Sequence, residues 1–306
     1  MKTHRLFHVI ALLVFWCIPA LCLANVVVVP DDGSIPIGHQ VEFLEDPDAT
    51  LSVEQLLTGA VTQVESDGVT YQWKKADSEI PNFGYSTSIF WGRVTLDLSK
   101  AKPGKRWLLE NEWPHVDNLT IVLANMDGIE LDRQNAGLAV PYSQRKFRHR
   151  NIVYPLEVQA GDTVQLLIRI ESGNALQFPL MVWERESFLV NDHDEQFIFG
   201  MFYGILLVML LYNLFIYFGV REQSYLDYVF FIFAVTLIQL DVNKYSFEYL
   251  WPEWPWWSMR SVPALSSFAV VISVRFVINF LNTEEYAPLI SYREKNFHIS
   301  SDALIS

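Results

Sequence analysis

"FIFGMFYGILLVMLLYNLFIYFGV", Phe197 to Val220, contains no Asp, Glu, Lys or Arg. An α-helix rises ~1.5 Å per residue and a bilayer's hydrocarbon core is ~30 Å thick, so a run of this length and apolarity reads as a membrane span. Everything before about Glu195 is an ordinary charged sequence, and charges nearly vanish in long runs after Phe197. The chain therefore divides into an aqueous half, residues 25–195, and a partial membrane domain, residues 196–282.

Two further spans follow. The second, about 225–247, is apolar without interruption only from Tyr228 to Leu240, with Asp227 before it and Asp241, Asn243 and Lys244 after it. The third, about 261–281, carries Arg275 near its far end, where a long side chain can snorkel to the interface. Between them lies "YLWPEWPWWSMR", Tyr249 to Arg260. Its tryptophans Trp251, Trp254, Trp256 and Trp257 fit either a sugar-stacking platform or an interface anchor. The flanking spans favour the anchor, since indoles at a membrane surface bury the ring and keep the N–H wet.

The first residues set the orientation. Lys2 and Arg5 precede "LFHVIALLVFWCIPALCLA", which ends in Cys22-Leu23-Ala24, small where a signal peptidase reads. Residues 1–24 are expected to be a signal peptide, with a retained anchor as the alternative. The exported half then lies outside, "REQS" (Arg221 to Ser224) is an inner turn, and residues 283–306 form a short inner tail. Both cysteines, Cys17 and Cys22, fall in the leader, so neither disulfides nor cysteine metal sites are expected in the mature chain. The net charge of −13 becomes more acidic when the leader's two cations leave. An acidic surface argues against nucleic acid as a partner.

The exported half is predicted to be a β-sandwich or jelly roll. "SIFWGRVTLDLS" (Ser88 to Ser99) puts Val94, Leu96 and Leu98 on one face and Thr95 and Asp97 on the other. "RWLLENE", "NLTIVLAN" (Asn118 to Asn125), "NIVYPLEV" (Asn151 to Val158), "DTVQLLIRIES" and "QFPLMVWE" continue the pattern, separated by the turn sequences "KPGK", "NMDG" and "QAGD". Before Ser88 the pattern is less regular, and "SVEQLLTG" (Ser52 to Gly59) predicts one short helix.

No catalytic constellation stands out. His115, His149 and His193 lack metal-ligand spacing, no phosphate loop or G-x-S-x-G elbow occurs, and the acid pairs Asp31-Asp32 and Asp192/Asp194 read as solvated loop residues. The expectation is a binder, with no catalytic residues, metal or cofactor. Its one anomaly is "PYSQRKFRHRNIVYPL", Pro141 to Leu156, a basic run in an acidic protein. Arg145, Arg148, His149 and Arg150 are candidates to grip a carboxylate or hydroxyl-rich ligand, with Trp107, Trp113 or Tyr142 as stacking faces. The plainer reading is a loop whose cations pair with nearby acids.

"PNFGYSTSIFWGRVTLDLS", "RWLLENEWPHVDNLTIVL", the basic run, "LQFPLMVWE", "FGMFYGILLVMLLYNLFIYFGVREQSYLDYVFFIFAVTLIQL" and "YLWPEWPWWSMRSVPAL" together resemble bacterial seven-transmembrane receptors with diverse intracellular signalling modules. The likeness spans roughly Pro81 to Pro288, and the order of strand domain, first helix and "LWP" loop carries it. The resemblance implies a carbohydrate-binding-like periplasmic jelly roll joined through helices of the bacterial inner membrane to a cytoplasmic output. It also implies a small-molecule ligand, possibly a carbohydrate. Membrane lipid and a second copy or another membrane receptor complete the expected partners. Only three spans precede the tail "ISYREKNFHISSDALIS", so the expectation is a C-terminally truncated sensory receptor. The alternatives are a non-enzymatic scaffold or partner-binding subunit, a glycan-acting enzyme, and a non-functional remnant.

Overall fold

The computed structural model describes residues 26–57, 63–66 and 69–280. The expected signal peptide and the tail at 283–306 lie outside the described residues.

Strands β1 (Val26–Val28), β2 (Ser34–Pro36), β3 (Glu42–Asp46), β4 (Gln63–Ser66), β5 (Val69–Gln72), β6 (Lys74–Lys75), β7 (Asn82–Gly84) and β8 (Ile89–Asp97) come first, with a short helix α1 (Val53–Leu57) after β3. Then follow β9 (Trp107–Asn111), β10 (Asn118–Asn125), β11 (Glu130–Ala136), β12 (Ile152–Leu156), β13 (Thr163–Glu171), β14 (Leu176–Gln177) and β15 (Leu180–Glu184). A large sheet runs β11-β10-β13-β8-β3-β6, with β1 parallel to β8, and a smaller sheet runs β12-β9-β15-β2. All their other pairings are antiparallel.

The sheets face each other across one apolar core. Alternation along each strand supplies it: Val94, Leu96, Ile121, Leu123, Leu166 and Ile168 from the large sheet meet Trp107, Leu109, Ile152, Tyr154 and Val182 from the small one. The outer faces are covered too. Helix α1 and the β4–β5 hairpin contribute Leu56, Leu57 and Tyr71 to a second cluster over Trp91, Val122 and Leu167. A capping box starts α1, with Gln55 N–H donating to Ser52 Oγ at 3.3 Å and Ser52 N–H to Gln55 Oε1 at 2.9 Å.

Helix α2 (Arg185–Val220) leaves β15 without a loop, capped by the Glu184 carboxylate, which accepts from Ser187 N–H at 3.0 Å. Phe188 in its first turn packs on Leu108 and Val153, the outer face of the small sheet. This 36-residue helix is about 54 Å long, more than a bilayer needs. Its polar first third, including Asp192 and Glu195, therefore stands outside the apolar run. The acids Asp192 and Asp194, expected in a loop, are on a helix.

Helix α3 (Gln223–Val242), short helices α4 (Tyr245–Tyr249) and α5 (Pro255–Ser258), and α6 (Ser261–Phe280) complete the described chain. Helices α2, α3 and α6 are long and apolar enough to cross a membrane. The helix of the second span ends at Val242, just past the apolar run and short of the expected bound at 247. Lys244 takes a left-handed backbone (φ 62°) and starts α4, while the buried Asp241 carboxylate accepts from Ser246 Oγ. The chain therefore breaks before the expected end at Phe247.

Candidate functional site

The basic run occupies the connection from β11 to β12, and the structure sorts its cations by task. Arg145 is 6% exposed and points inward. Its Nη1 donates to the carbonyls of His149 (2.7 Å), Arg150 (3.3 Å) and Asn151 (3.1 Å), and its guanidinium lies over the rings of Tyr142 (4.9 Å) and Phe247 (5.4 Å). This side chain ties the loop to itself and to α4. Lys146 pairs with Asp132 of β11, which also accepts from Tyr154 Oη at 2.6 Å.

The next three residues turn toward α2. His149 accepts Asn151 N–H at Nδ1 (3.1 Å), which leaves Nε2–H to donate to Asp192 Oδ1 at 3.0 Å. Arg150 pairs with Glu195 and lies over Phe199 (4.8 Å) and Tyr245 (5.9 Å). Arg148 is exposed, with its guanidinium 5.9 Å from the Tyr142 ring.

Arg148, His149 and Arg150 roof a cavity of about 380 Å³. Helix α2 supplies Asp192, Gln196, Phe199 and Tyr203, α3 supplies Leu240, and α4 supplies Tyr245, Glu248 and Tyr249. The pocket thus holds cations from the β domain and acids and aromatic faces from the helices.

The other expected site residues do not line it. Trp107 is 1% exposed in the sandwich core, with Nε1–H donating to Pro30 O at 3.3 Å, so it cannot be a stacking face for an outside ligand. Tyr142, also 1% exposed, meets Phe247 edge-to-face at 5.7 Å. Trp113 donates from Nε1 to Ala175 O at 3.1 Å and lies beside His115. Sequence reasoning missed Asp192, Gln196, Phe199 and Tyr203. Their spacing of four, three and four residues places them on one helical face, a signal readable once α2 is extended back to Arg185.

The tryptophan loop docks on the same side. Tyr142 N–H donates to Pro252 O at 2.8 Å and Ser143 Oγ to Glu253 Oε2 at 3.1 Å. Trp251 and Met259 pack on a cluster of Leu138, Tyr142 and Phe247. The four rings therefore divide: Trp251 faces the β domain and meets Trp257 edge-to-face at 6.0 Å, whereas Trp254 and Trp256 are 69% and 65% exposed. A third contact joins His115 Nε2 to Val242 O at 3.1 Å. Burial and the nearby Lys244 hold the His115 imidazole down to about 4. Burial likewise pulls Lys244 down to about 8, against the opposing pull of Asp241.

Residues 38–184 match the family described as 7TMR-DISM extracellular 2, and residues 195–299 match the family described as 7TM diverse intracellular signalling. The chain belongs to this receptor family. The boundary between the two matches falls where β15 becomes α2, so the receptor is a membrane protein with an extracellular β domain followed by apolar helices. No curated protein matches it. Solved structures include β-glucuronidase of Ruminococcus gnavus, at 10% identity and TM-score 0.29 over 53% of this chain and 30% of that one. The same enzyme in complex with D-glucaro 1,5-lactone matches at 9% identity and TM-score 0.28, over 54% and 32%. At such scores the likeness carries no argument about the receptor's fold or chemistry.

Proposed function

We propose that the receptor senses a small, saccharide-like molecule in the cavity beneath its basic loop and passes occupancy to the membrane helices. One observation carries this reading: the cavity's walls come from both the β domain and the helices, so one occupant touches both. About 380 Å³ suits a ligand of monosaccharide size. Aromatic faces beside charged hydrogen-bonding groups suit a hydroxylated ring.

On this reading the β domain is periplasmic, the helices lie in a bacterial inner membrane, and the C-terminus is cytoplasmic. The chain itself is not catalytic. A ligand shifts the packing of domain on helices only by the difference in its affinity for the two arrangements. Titration calorimetry of the full chain in lipid nanodiscs against mono- and disaccharides tests the proposal. Binding that is lost on replacing Tyr245 and Gln196 with Ala is expected, and a panel that yields no heat of binding would refute it.

A further inference from the structure

Of the arginine and carboxylate side chains lining the cavity, Arg150 and Asp192 are already engaged by other side chains. Arg150 is paired with Glu195, Asp192 accepts from His149 and from Gln196 Nε2 at 2.8 Å, and Tyr203 Oη accepts from Asn243 Nδ2 at 3.0 Å. Arg148, on the β-domain loop, and Glu248, on α4, are opposite in charge and line the same cavity. Among the described residues neither is joined to the other, or to any other charged side chain, by an ion pair.

We infer that the ligand is a monoanionic hydroxy acid of sugar size, its carboxylate received by the Arg148 fork and a hydroxyl donated to Glu248. The inference rests on the saccharide reading above and narrows it. A planar guanidinium with no carboxylate partner is complementary to a carboxylate through two parallel hydrogen bonds. A neutral sugar would leave that charge unmatched while partly desolvating it, at a cost. A dianion such as a phosphate monoester would meet Asp192 and Glu248 across a small cavity in which, among the described residues, Arg148 is the arginine outside an ion pair. An amine would pair with Glu248 but leave the Arg148 guanidinium without an anion. A hydroxy acid gives Arg148 a carboxylate partner and Glu248 a hydroxyl donor at once, and in doing so it bridges the β domain to the α3–α6 connection.

The test is titration calorimetry of the full chain in nanodiscs with glucuronate and galacturonate against their neutral parents, glucose and galactose. The acids are expected to bind about tenfold or more tightly than the parents, the effect of one charge-assisted contact. R148Q should bring the acids down to the level of the parents, and E248Q should weaken all four. Arg148 is exposed, so R148Q should unfold at the wild-type temperature, which a thermal scan verifies. Equal affinity for acids and parents, or an acid preference that survives R148Q, overturns this inference and leaves the saccharide reading standing. Absence of binding by all four sugars overturns this inference, and absence of binding by the whole mono- and disaccharide panel refutes the saccharide reading as well.

Discussion

Arg145→Met separates a structural cation from a ligand-binding one. Met keeps the aliphatic stem but removes the guanidinium that lies over Tyr142 and Phe247, and with it the donor shared by the carbonyls of His149, Arg150 and Asn151. Burial pulls the guanidinium down to about 10, still far above neutral pH, so the charge lost is real at pH 7. Hydrogen bonds from a charged donor contribute ~1.5–3 kcal/mol each; with one nitrogen serving three acceptors, the loss is about 3–4 kcal/mol. An opposing effect reduces it. Arg145 Nε and Nη2 are buried without partners, and Met removes that cost of about 1–2 kcal/mol. The net destabilisation is about 2 kcal/mol, or roughly 4–8 °C in the melting temperature of a domain of ~150 residues such as the β domain. Thermal unfolding of the full chain in detergent reads the shift, and hydrogen exchange at residues 145–151 should rise with it. An unchanged melting temperature accompanied by lost ligand affinity would show that Arg145 grips the ligand and would refute the structural assignment. A rise in melting temperature would show that the unpaired nitrogens outweigh the three bonds.

Trp107→Ala should cost ~3–5 kcal/mol through a core cavity, measured by chemical denaturation; loss of ligand affinity at unchanged stability would contradict its placement. His115 makes the receptor acid-sensitive. Its folded value of about 4 lies below the ordinary 6.5, so the unfolded state takes up the proton first. Its contribution is complete above pH 6.5 and is lost as the pH falls toward 4. With partial solvent access the loss is about 1–2 kcal/mol. H115Q should flatten the melting temperature between pH 7 and 4.5, and an unchanged slope would count against the contact. Trp251→Ala should loosen the α3–α6 connection from the β domain, seen as faster exchange at residues 138–143. Trp254→Ala with Trp256→Ala should leave those amides protected and weaken membrane anchoring, seen as easier extraction from vesicles.

Periodicity located the elements that bury one face and missed those whose environment is set from afar. Strand β10 occupies Asn118–Asn125, as its sequence indicates, with Leu119, Ile121 and Leu123 facing the shared core; that Val122 and Ala124 are buried on the other face depends on the second cluster. β11 was not legible: "ELDRQNA" is an edge strand whose Asp132 and Arg133, on opposite faces, pair with Lys146 and Glu130, and it carries little apolar signal. In β9, Leu108 is buried on the side opposite Trp107 and Leu109 because Phe188 of α2 lies across it, a contact no local pattern contains.

The site divides in the same way. Composition located the basic run, but separating Arg145 from Arg148 and Arg150 depends on where three backbone carbonyls and Glu195 come to rest. The helix wall was hidden for a different reason. Hydropathy marks α2 only where it is apolar, whereas its polar first turns hold Asp192 and Gln196. The tryptophan loop shows the limit most clearly, since four like residues in one short stretch face two ways. Pro252 presents its carbonyl to Tyr142 and sets Trp251 against the β domain, while Pro255 begins α5 and leaves Trp256 outward. The loop is thereby held to the β domain on one side and offers two rings to the surroundings on the other. Movement of the β domain relative to the helices therefore disturbs the contacts of Pro252, Trp251 and Phe247 as well as the cavity beneath the basic loop.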